Sequence, residues 1–349
     1  MRSGVVLQGV DTPDVFESYV TEIERSGFDH LWLTDSSLHS RNPYAYLTLA
    51  ARASSRLLLG TAVTNPLTRH PGITAVAAAT VDEIAAGRFI LGIGAGDRPL
   101  EALGMRPAKL AVLEDSIAAI RALLRGGDVD HTSAGFTLHD AHLRFGARAD
   151  IPVFISASGP KTLELAGRVA DGVVLLAGLH TDGIRFALEH IDRGVAAAGR
   201  SARPHVAVFA YGRIDEDEQA ALAAARSIAA WFPQTAPVYC ELAGLDRPLI
   251  DEVRRRYSGG EFQEAAAAAE LLPDEFVRRM ALSGNRERTV AQLRGLAEAG
   301  VDSVNVFPLG DDRMSTVARF RDAFDAAFGA RAEVAEVTEV ADGTEVFAR

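Results

Sequence analysis

The sequence predicts an α/β protein, a closed (β/α)8 barrel, and three observations support this prediction. Eight short β-type runs alternate with longer amphipathic segments along the 349 residues. The runs are nearly continuous in apolar residues, which is typical of strands buried on both faces of a parallel sheet. Eight such units fit the size of a chain that closes into a barrel. A doubly wound open sheet is the alternative.

Each predicted strand is a short apolar run between turn residues. The first contains Gly4-Val5-Val6-Leu7, and the fourth ends in the glycine-rich segment that begins at Gly92. The eight runs occupy residues 4–8, 30–34, 57–63, 88–93, 152–156, 172–176, 206–210 and 303–307.

The predicted helices lie between these runs. The first has Asp11-Thr12-Pro13 at its start, a capping residue followed by a first-turn proline, and Gly27 at its end. Alanine, the best helix former, is frequent throughout. The helices are expected at residues 11–26, 43–54, 72–86, 99–124, 160–170, 181–198 and 314–328.

Two connections are longer than a plain barrel needs. Residues 126–150 include Gly135 and the alternating Phe136-Thr137-Leu138, which predict a hairpin. Residues 215–300 contain several helical stretches broken by prolines. We therefore expect one barrel domain over residues 1–330, with insertions at 126–150 and 215–300, and a tail over residues 331–349. The insertions are equally consistent with a substrate wall and with added packing.

Composition restricts the partners. The chain has 36 basic and 47 acidic residues, a net charge of −11, so no basic stripe is available for nucleic acid. No uncharged apolar run approaches the ~18–20 residues of a membrane span. The single cysteine, Cys240, excludes an internal disulfide and favours a reducing cytoplasm. A small-molecule ligand is the expected partner.

Two glycine-containing turns and an acidic residue point to one end of the barrel. The segment Gly92-Ile93-Gly94-Ala95-Gly96-Asp97 follows a strand, and its glycines let backbone approach a ligand. Asp97 would lie at the mouth where barrel chemistry occurs, or cap the next helix. The turn Ser158-Gly159-Pro160 opens a helix whose free N–H groups could bind a phosphate, or is an ordinary cap.

The second strand ends in Asp35, which is placed at the same mouth, and His39 follows in its loop. His39 is a candidate base, although a single histidine is more often structural. A metal site is not expected, since His139 and His142 have no third ligand at a standard spacing.

Several motifs in order resemble one family over roughly residues 4–328. They are Thr34-Asp35, Arg41-Asn42-Pro43-Tyr44, Val63-Thr64-Asn65-Pro66, Thr68-Arg69-His70-Pro71, Gly92 to Asp97, Ala102-Leu103-Gly104, Ser158-Gly159-Pro160 and Ala170-Asp171-Gly172. The chain resembles the bacterial luciferase-like superfamily, and within it the deazaflavin-dependent methylenetetrahydromethanopterin reductases.

This resemblance implies a barrel that binds the deazaflavin coenzyme F420 at its C-terminal mouth. The ring would lie against a bulge with a non-proline cis peptide, which matches Ala62–Val63 here. Asp35 and Asn65 would lie near the ring, with Gly96 in the adjoining turn. Ser158, Gly159 and Pro160 match the phosphate-binding turn. Asp97 matches an acidic residue that faces ring and substrate, a candidate proton donor.

One residue departs from the family pattern. Ser36 stands where a histidine commonly follows the strand-two aspartate, and that histidine is the base for alcohol oxidation in a related branch. The resemblance therefore implies hydride transfer from reduced F420 to an iminium, enone or carbonyl carbon, rather than alcohol dehydrogenation. An FMN-dependent monooxygenase and a non-catalytic relative are the alternatives. The family is often dimeric through helices beside strands two to four, so a homodimer is expected.

Overall fold

The computed structural model describes residues 1–257 and 265–330, and eight of their strands form a closed parallel barrel. The strands are β1 (Arg2–Leu7), β2 (His30–Leu33), β3 (Leu58–Thr61), β4 (Phe89–Ile93), β5 (Val129–Thr132), β6 (Thr137–Ala141), β7 (Val153–Ala157), β8 (Gly172–Leu175), β9 (His205–Ile214), β10 (Leu282–Gly284) and β11 (Ser303–Pro308).

The order around the barrel is β1-β2-β3-β4-β7-β8-β9-β11, and the circle closes where β11 pairs with β1. Because β8 also pairs with β9, no edge is left open, so the predicted barrel is confirmed over the open-sheet alternative. Each of the eight predicted strands is present, with ends that shift by only a few residues.

Thirteen helices accompany the strands in the described residues. They are α1 (Pro13–Arg25), α2 (Pro43–Ala53), α3 (Pro71–Ile84), α4 (Leu110–Leu124), α5 (Pro160–Val169), α6 (Thr181–Ala197), α7 (Glu218–Thr235), α8 (Pro237–Leu242), α9 (Arg247–Arg256), α10 (Ala266–Ala269), α11 (Asp274–Met280), α12 (Arg286–Glu298) and α13 (Arg313–Phe328).

The helix expected at residues 99–124 is wrong in its first half. The structure has a 3₁₀ turn at Arg98–Leu103, and α4 starts only at Leu110. Gly104 ends the turn in the left-handed conformation, with φ +69°, and Pro107 follows. A left-handed glycine is a common helix stop, and a proline disfavours helix in the residue before it, so the segment cannot continue as one helix.

The two long connections differ in form. β5 and β6 make an antiparallel pair, which confirms the expected hairpin. The connection from β9 to β11 contains α7 to α12 and the short strand β10, which pairs with the outer half of β9. α12 packs against α6 and α13, so the outer ring of helices continues through it. The tail at residues 331–349 lies outside the described residues.

The barrel interior is filled at its lower end and open above. Val6, Trp32, Ile90 and Phe154 pack inside the strands, and the Trp32 Nε1 donates a hydrogen bond to Asn305 Oδ1 at 3.0 Å. This layer forms a solid floor, so a ligand can enter only from the carboxyl ends of the strands.

Within the described residues, every helix is too short or too polar to span a bilayer. The cytoplasmic location stays a prediction from the cysteine count.

Candidate functional site

A cavity of about 270 Å³ lies at the carboxyl ends of the barrel strands. It is lined from the loops after β2, β3, β4 and β7 on one side, and from β8, β9, β11 and α7 on the other. Seven of the ten residues that the sequence singles out are in this lining: Asp35, Ala62, Val63, Asn65, Gly96, Asp97 and Ser158.

The cavity wall after β3 is a bulge with an unusual peptide bond. The bond between Ala62 and Val63 is cis, as the resemblance implies. Backbone hydrogen bonds fix the bulge on both sides, from Ala62 N to Leu33 O at 2.8 Å and from Thr64 N to Gly92 O at 2.9 Å. A Cβ on Gly94 would come within 3.0 Å of Val63 Cγ2. The two turns therefore pack closely and present backbone to the cavity.

Asp35 is a buried carboxylate that is already paired. Its side chain is 2% exposed, and Arg69 donates to both carboxylate oxygens, one of them at 3.1 Å. The Arg69 guanidinium also lies over the Tyr44 ring, 5.1 Å from its centroid. Burial, together with the Asp35 charge, raises the pKa of the Tyr44 phenol. Asp35 is therefore held in place as an ion pair.

The loops after β3 and β4 meet beside the bulge. Asn65 Oδ1 accepts hydrogen bonds from Leu67 N and Thr68 N at 3.0 and 2.9 Å, which orders the third loop. Gly96 has φ +86°, and a Cβ there would lie 2.4 Å from Leu100 Cδ1, so a side chain does not fit. Asp97 is exposed to the cavity at the start of the 3₁₀ turn, and its side chain makes no capping hydrogen bond.

The turn before α5 presents donors to the cavity. Gly159 occupies the N-cap position without a side-chain cap, and Pro160 is the first helical residue. Among the described residues, no acceptor pairs with the backbone N–H groups of Ser158, Gly159 and Lys161. Ser158 is held from behind, because the buried Tyr239 of α8 donates its hydroxyl to the Ser158 carbonyl oxygen at 2.8 Å. This arrangement suits an anion.

Three of the predicted residues stand outside the cavity lining. Gly159 and Pro160 are exposed at the adjoining turn. His39 is exposed in the loop after β2, and its backbone N–H donates to the Ser36 carbonyl oxygen at 3.1 Å. Ser36 itself is in the lining. The position where the family commonly has a histidine therefore carries a hydroxyl, with His39 displaced outward.

A separate polar cluster lies on the hairpin. Asp128, Asp140 and His142 bring ligand atoms within 4.8 Å of one another, and all three are exposed. Sequence spacing does not reveal Asp128, because it lies just before β5 and is brought to His142 by the pairing of β5 with β6. Exposed acidic clusters of this kind are common without a metal, and the expectation of no metal site stays a prediction.

The far wall of the cavity is aromatic, and sequence reasoning did not identify it. Phe307 of β11 lies beside Tyr211 of β9 in register, and their rings stack with centroids 4.5 Å apart. α7 adds Ile228, Trp231 and Thr235, which share one helix face. Arg69 was also missed, although its position between Thr68 and His70 in a motif could have marked it.

Comparison with known proteins places these features in one family. The model of the family described as luciferase-like monooxygenase matches residues 2–303. The chain is 34% identical over 307 residues to 5,10-methylenetetrahydromethanopterin reductase of Archaeoglobus fulgidus, covering 86% of this chain and 92% of that protein. It is 32% identical to the Methanolobus tindarius reductase of the same name over 304 residues, with 86% and 92% covered. The coenzyme F420-dependent tetrahydromethanopterin reductase structure from Methanopyrus kandleri superimposes with a TM-score of 0.79 at 28% identity, covering 92% and 97%.

Proposed function

The chain belongs to the luciferase-like monooxygenase family of enzymes, and from this premise we propose that it is an F420-dependent oxidoreductase. It would transfer a hydride between the deazaflavin and an electrophilic carbon of a small organic substrate, such as an iminium, enone or carbonyl. One observation carries the proposal. The bulge at Ala62–Val63 and the donor turn at Ser158 line the same cavity.

The residues of the cavity fit such a cofactor. At the bulge and the following glycine turn the lining residues are Ala62, Val63, Gly94 and Ala95, whose side chains are small enough to leave room for a ring. The Thr34 hydroxyl oxygen is buried at the wall without a hydrogen-bond partner among the described residues. The N–H groups before α5 supply donors for a phosphate. Ala62, Val63, Asn65 and Gly96 would hold the ring, and Ser158, Gly159 and Pro160 the phosphate.

When bound, the deazaflavin supplies or accepts a hydride at its ring carbon 5. The protein supplies orientation and one proton. Asp35, held in place by Arg69, contributes an ion-paired carboxylate to the wall beside the bulge. Asp97 is an acidic residue of the cavity lining, at the start of the 3₁₀ turn and close to the bulge, so it is the residue positioned to hold a proton for the substrate. His39 stays a second candidate, although it lies outside the lining.

The proposal is tested by titrating the purified protein with oxidised F420 and, separately, with FMN, followed by fluorescence. We expect F420 to bind in the low micromolar range or tighter, about −8 kcal/mol, and FMN to bind at least about tenfold more weakly. Preferential FMN binding would contradict the proposal and favour the oxygen-dependent alternative. Binding of neither cofactor would also contradict the proposal, whereas bound F420 without hydride exchange toward any substrate class would favour a non-catalytic relative.

We also propose a homodimer that packs through α3. This helix exposes Ile73, Val76 and Ile84 along one face, with Ile73 60% exposed. Ile73→Glu should shift the protein toward monomer in light scattering, while Val15→Glu, an exposed apolar site on α1, should leave its mass unchanged. A wild-type protein that is monomeric at micromolar concentration would contradict the dimer.

A further inference from the structure

The cavity has two chemically different walls that face each other across the barrel. In the closed order of eight strands, β9 lies four positions from β3, and β11 lies four positions from β4. Tyr211 and Phe307, near the carboxyl ends of β9 and β11, are therefore opposite the bulge and the glycine turn. The proposed function places the ring on the bulge side, so the aromatic wall is the side left for the substrate.

This aromatic wall consists of Tyr211, Phe307 and Trp231. The Tyr211 and Phe307 rings are nearly parallel, with an interplanar angle of 21°. Both are only half-buried, and both line the cavity. Trp231 adds a third aromatic side chain from α7. Aromatic side chains of this kind favour a planar conjugated ligand, since they contribute large contact areas with little loss of side-chain entropy.

The charged residues of the described lining further restrict the class of substrate. The acidic residues there are Asp35 and Asp97, and none of these described lining residues is lysine, arginine or histidine. Arg69 approaches from outside the lining, but both carboxylate oxygens of Asp35 occupy its guanidinium. Gln8 and Ser36 add neutral polar groups. A carboxylate or phosphate on the substrate would thus find no basic side chain among these described lining residues, whereas a neutral molecule or a cation could pack against the aromatic rings.

We propose that the aromatic wall is a substrate subsite for a planar, conjugated molecule that is neutral or positively charged around its electrophilic carbon. This inference rests on the proposed function and narrows it. It favours aromatic or heteroaromatic iminium compounds and conjugated enones over sugar phosphates and other anionic substrates. The wall residues contact the substrate and do not take part in proton transfer.

The test uses four probes on protein saturated with oxidised F420, measured by calorimetry. N-methylquinolinium is a planar cation, quinoline is planar and neutral, quinoline-4-carboxylate is a planar anion, and N,N-dimethyl-decahydroquinolinium is a cation without a flat face. We expect the planar cation and the planar neutral probe to bind at least about tenfold more tightly than the other two. Equal binding of all four, or tightest binding of the carboxylate, would overturn the proposal.

Two matched variants test whether the aromatic wall is responsible for the difference in affinity between the probes. Phe307→Leu removes the aromatic face and keeps an apolar side chain, and Phe145→Leu makes the same change at an exposed site on another part of the surface. Phe307→Leu should weaken the planar probes about tenfold, weaken the saturated cation less than this, and leave F420 affinity within about twofold. Phe145→Leu should change none of these values. Unchanged binding of the planar probes to Phe307→Leu would overturn the proposal.

The proposed function and this inference can fail separately. F420 affinity is measured first on each protein, and its absence would refute the proposed function alone, because the four probes can then be ranked on the protein without cofactor. A Phe307→Leu protein that loses F420 affinity as strongly as probe affinity would show that the wall serves the cofactor, and would overturn the substrate assignment.

Discussion

The two sides of the cavity are built in different ways. On the side of β2, β3 and β4, short loops place a buried ion pair, a cis bulge and a glycine turn, all held by backbone hydrogen bonds. On the side of β9 and β11, the wall consists of aromatic side chains, and the long connection between these strands adds α7 above them. The first side relies on backbone shape and the second on side-chain surface.

This difference distinguishes the backbone turns that family members are expected to share from the wall side chains that are expected to vary among them. Backbone turns with left-handed glycines tolerate few substitutions, because another residue would have to adopt the same positive φ. Aromatic and aliphatic wall residues can be exchanged with little cost to the barrel. The first side thus suits a cofactor common to many relatives, and the second suits a substrate particular to this chain.

The largest effect is expected from breaking the buried ion pair on the first side. Asp35→Ala leaves the Arg69 guanidinium, itself only 20% exposed, without its carboxylate, and should lower the free energy of unfolding by about 3–5 kcal/mol. The matched variant on the insertion side is Asp274→Ala, whose carboxylate is 46% exposed and pairs with Arg226. It should cost about 1 kcal/mol or less. Urea unfolding compares the two, and equal losses would contradict this contrast between the sides.

Acid should destabilise the packing between α6 and the insertion that carries the second side. His180 begins α6 and is buried next to residues of α11, and its Nδ1 accepts a hydrogen bond from Gly183 N at 3.2 Å. Burial, and then the nearby Arg279 charge, lower its pKa from 6.5 to about 4. The folded state therefore binds fewer protons than the unfolded chain between these values. Its contribution of about 3 kcal/mol is present above pH 6.5 and lost as the pH falls toward 4.

Urea unfolding at pH 7.5, 6, 5 and 4 measures this contribution. His180→Asn keeps a capping acceptor and removes the titration, so its stability should fall less steeply with pH than that of wild type. His139→Asn, at an exposed position on the hairpin, is the control and should follow wild type. Parallel curves for His180→Asn and wild type would rule out the assignment.

The first side was largely predictable from the sequence, and particular residues show why. The strand before Gly92 and the small residues after it determine a local backbone path, so Gly96 and Asp97 could be placed at the mouth from pattern alone. The same holds for Ser158 before a helix that starts with Pro160. The cis bond at Ala62–Val63 has no local signal in composition, and only the resemblance of the surrounding motifs implied it.

The second side could not be predicted from the sequence, because it depends on contacts between residues far apart in the chain. Trp231 reaches the cavity only because α7 folds back over the barrel, and Tyr211 meets Phe307 through the register of two strands far apart in sequence. β10 has three residues, too few for a periodic pattern. The prediction of one helix over residues 99–124 was wrong because it followed the helical periodicity and did not take account of the helix stop at Gly104.

Substitution of Asp97 tests whether a residue on the first side of the cavity delivers the proton to the substrate. Asp97→Asn keeps the shape and hydrogen-bonding size of the side chain but cannot give up a proton. It should lower turnover about 100-fold, within the usual range for a lost general acid, and leave F420 affinity within about twofold. His39→Asn is the comparison, since His39 lies outside the lining, and should lower turnover less. If Asp97→Asn turned over at the wild-type rate and His39→Asn did not, the proton donor would be His39.

The smallest effect probes a contact through which the insertion supports the first side. Tyr239 comes from the insertion, yet its hydroxyl holds the Ser158 carbonyl at 2.8 Å and so orients the turn before α5. Tyr239→Phe removes this hydrogen bond and should weaken F420 binding about fivefold, equivalent to about 1 kcal/mol. The deazaflavin riboside, which lacks the phosphate, should bind both proteins equally. A loss of the same size for the riboside would mean that Tyr239 supports the whole cavity. Selective loss for F420 would show that the insertion positions the phosphate turn, so that replacing α8 in this chain would also alter its affinity for the cofactor.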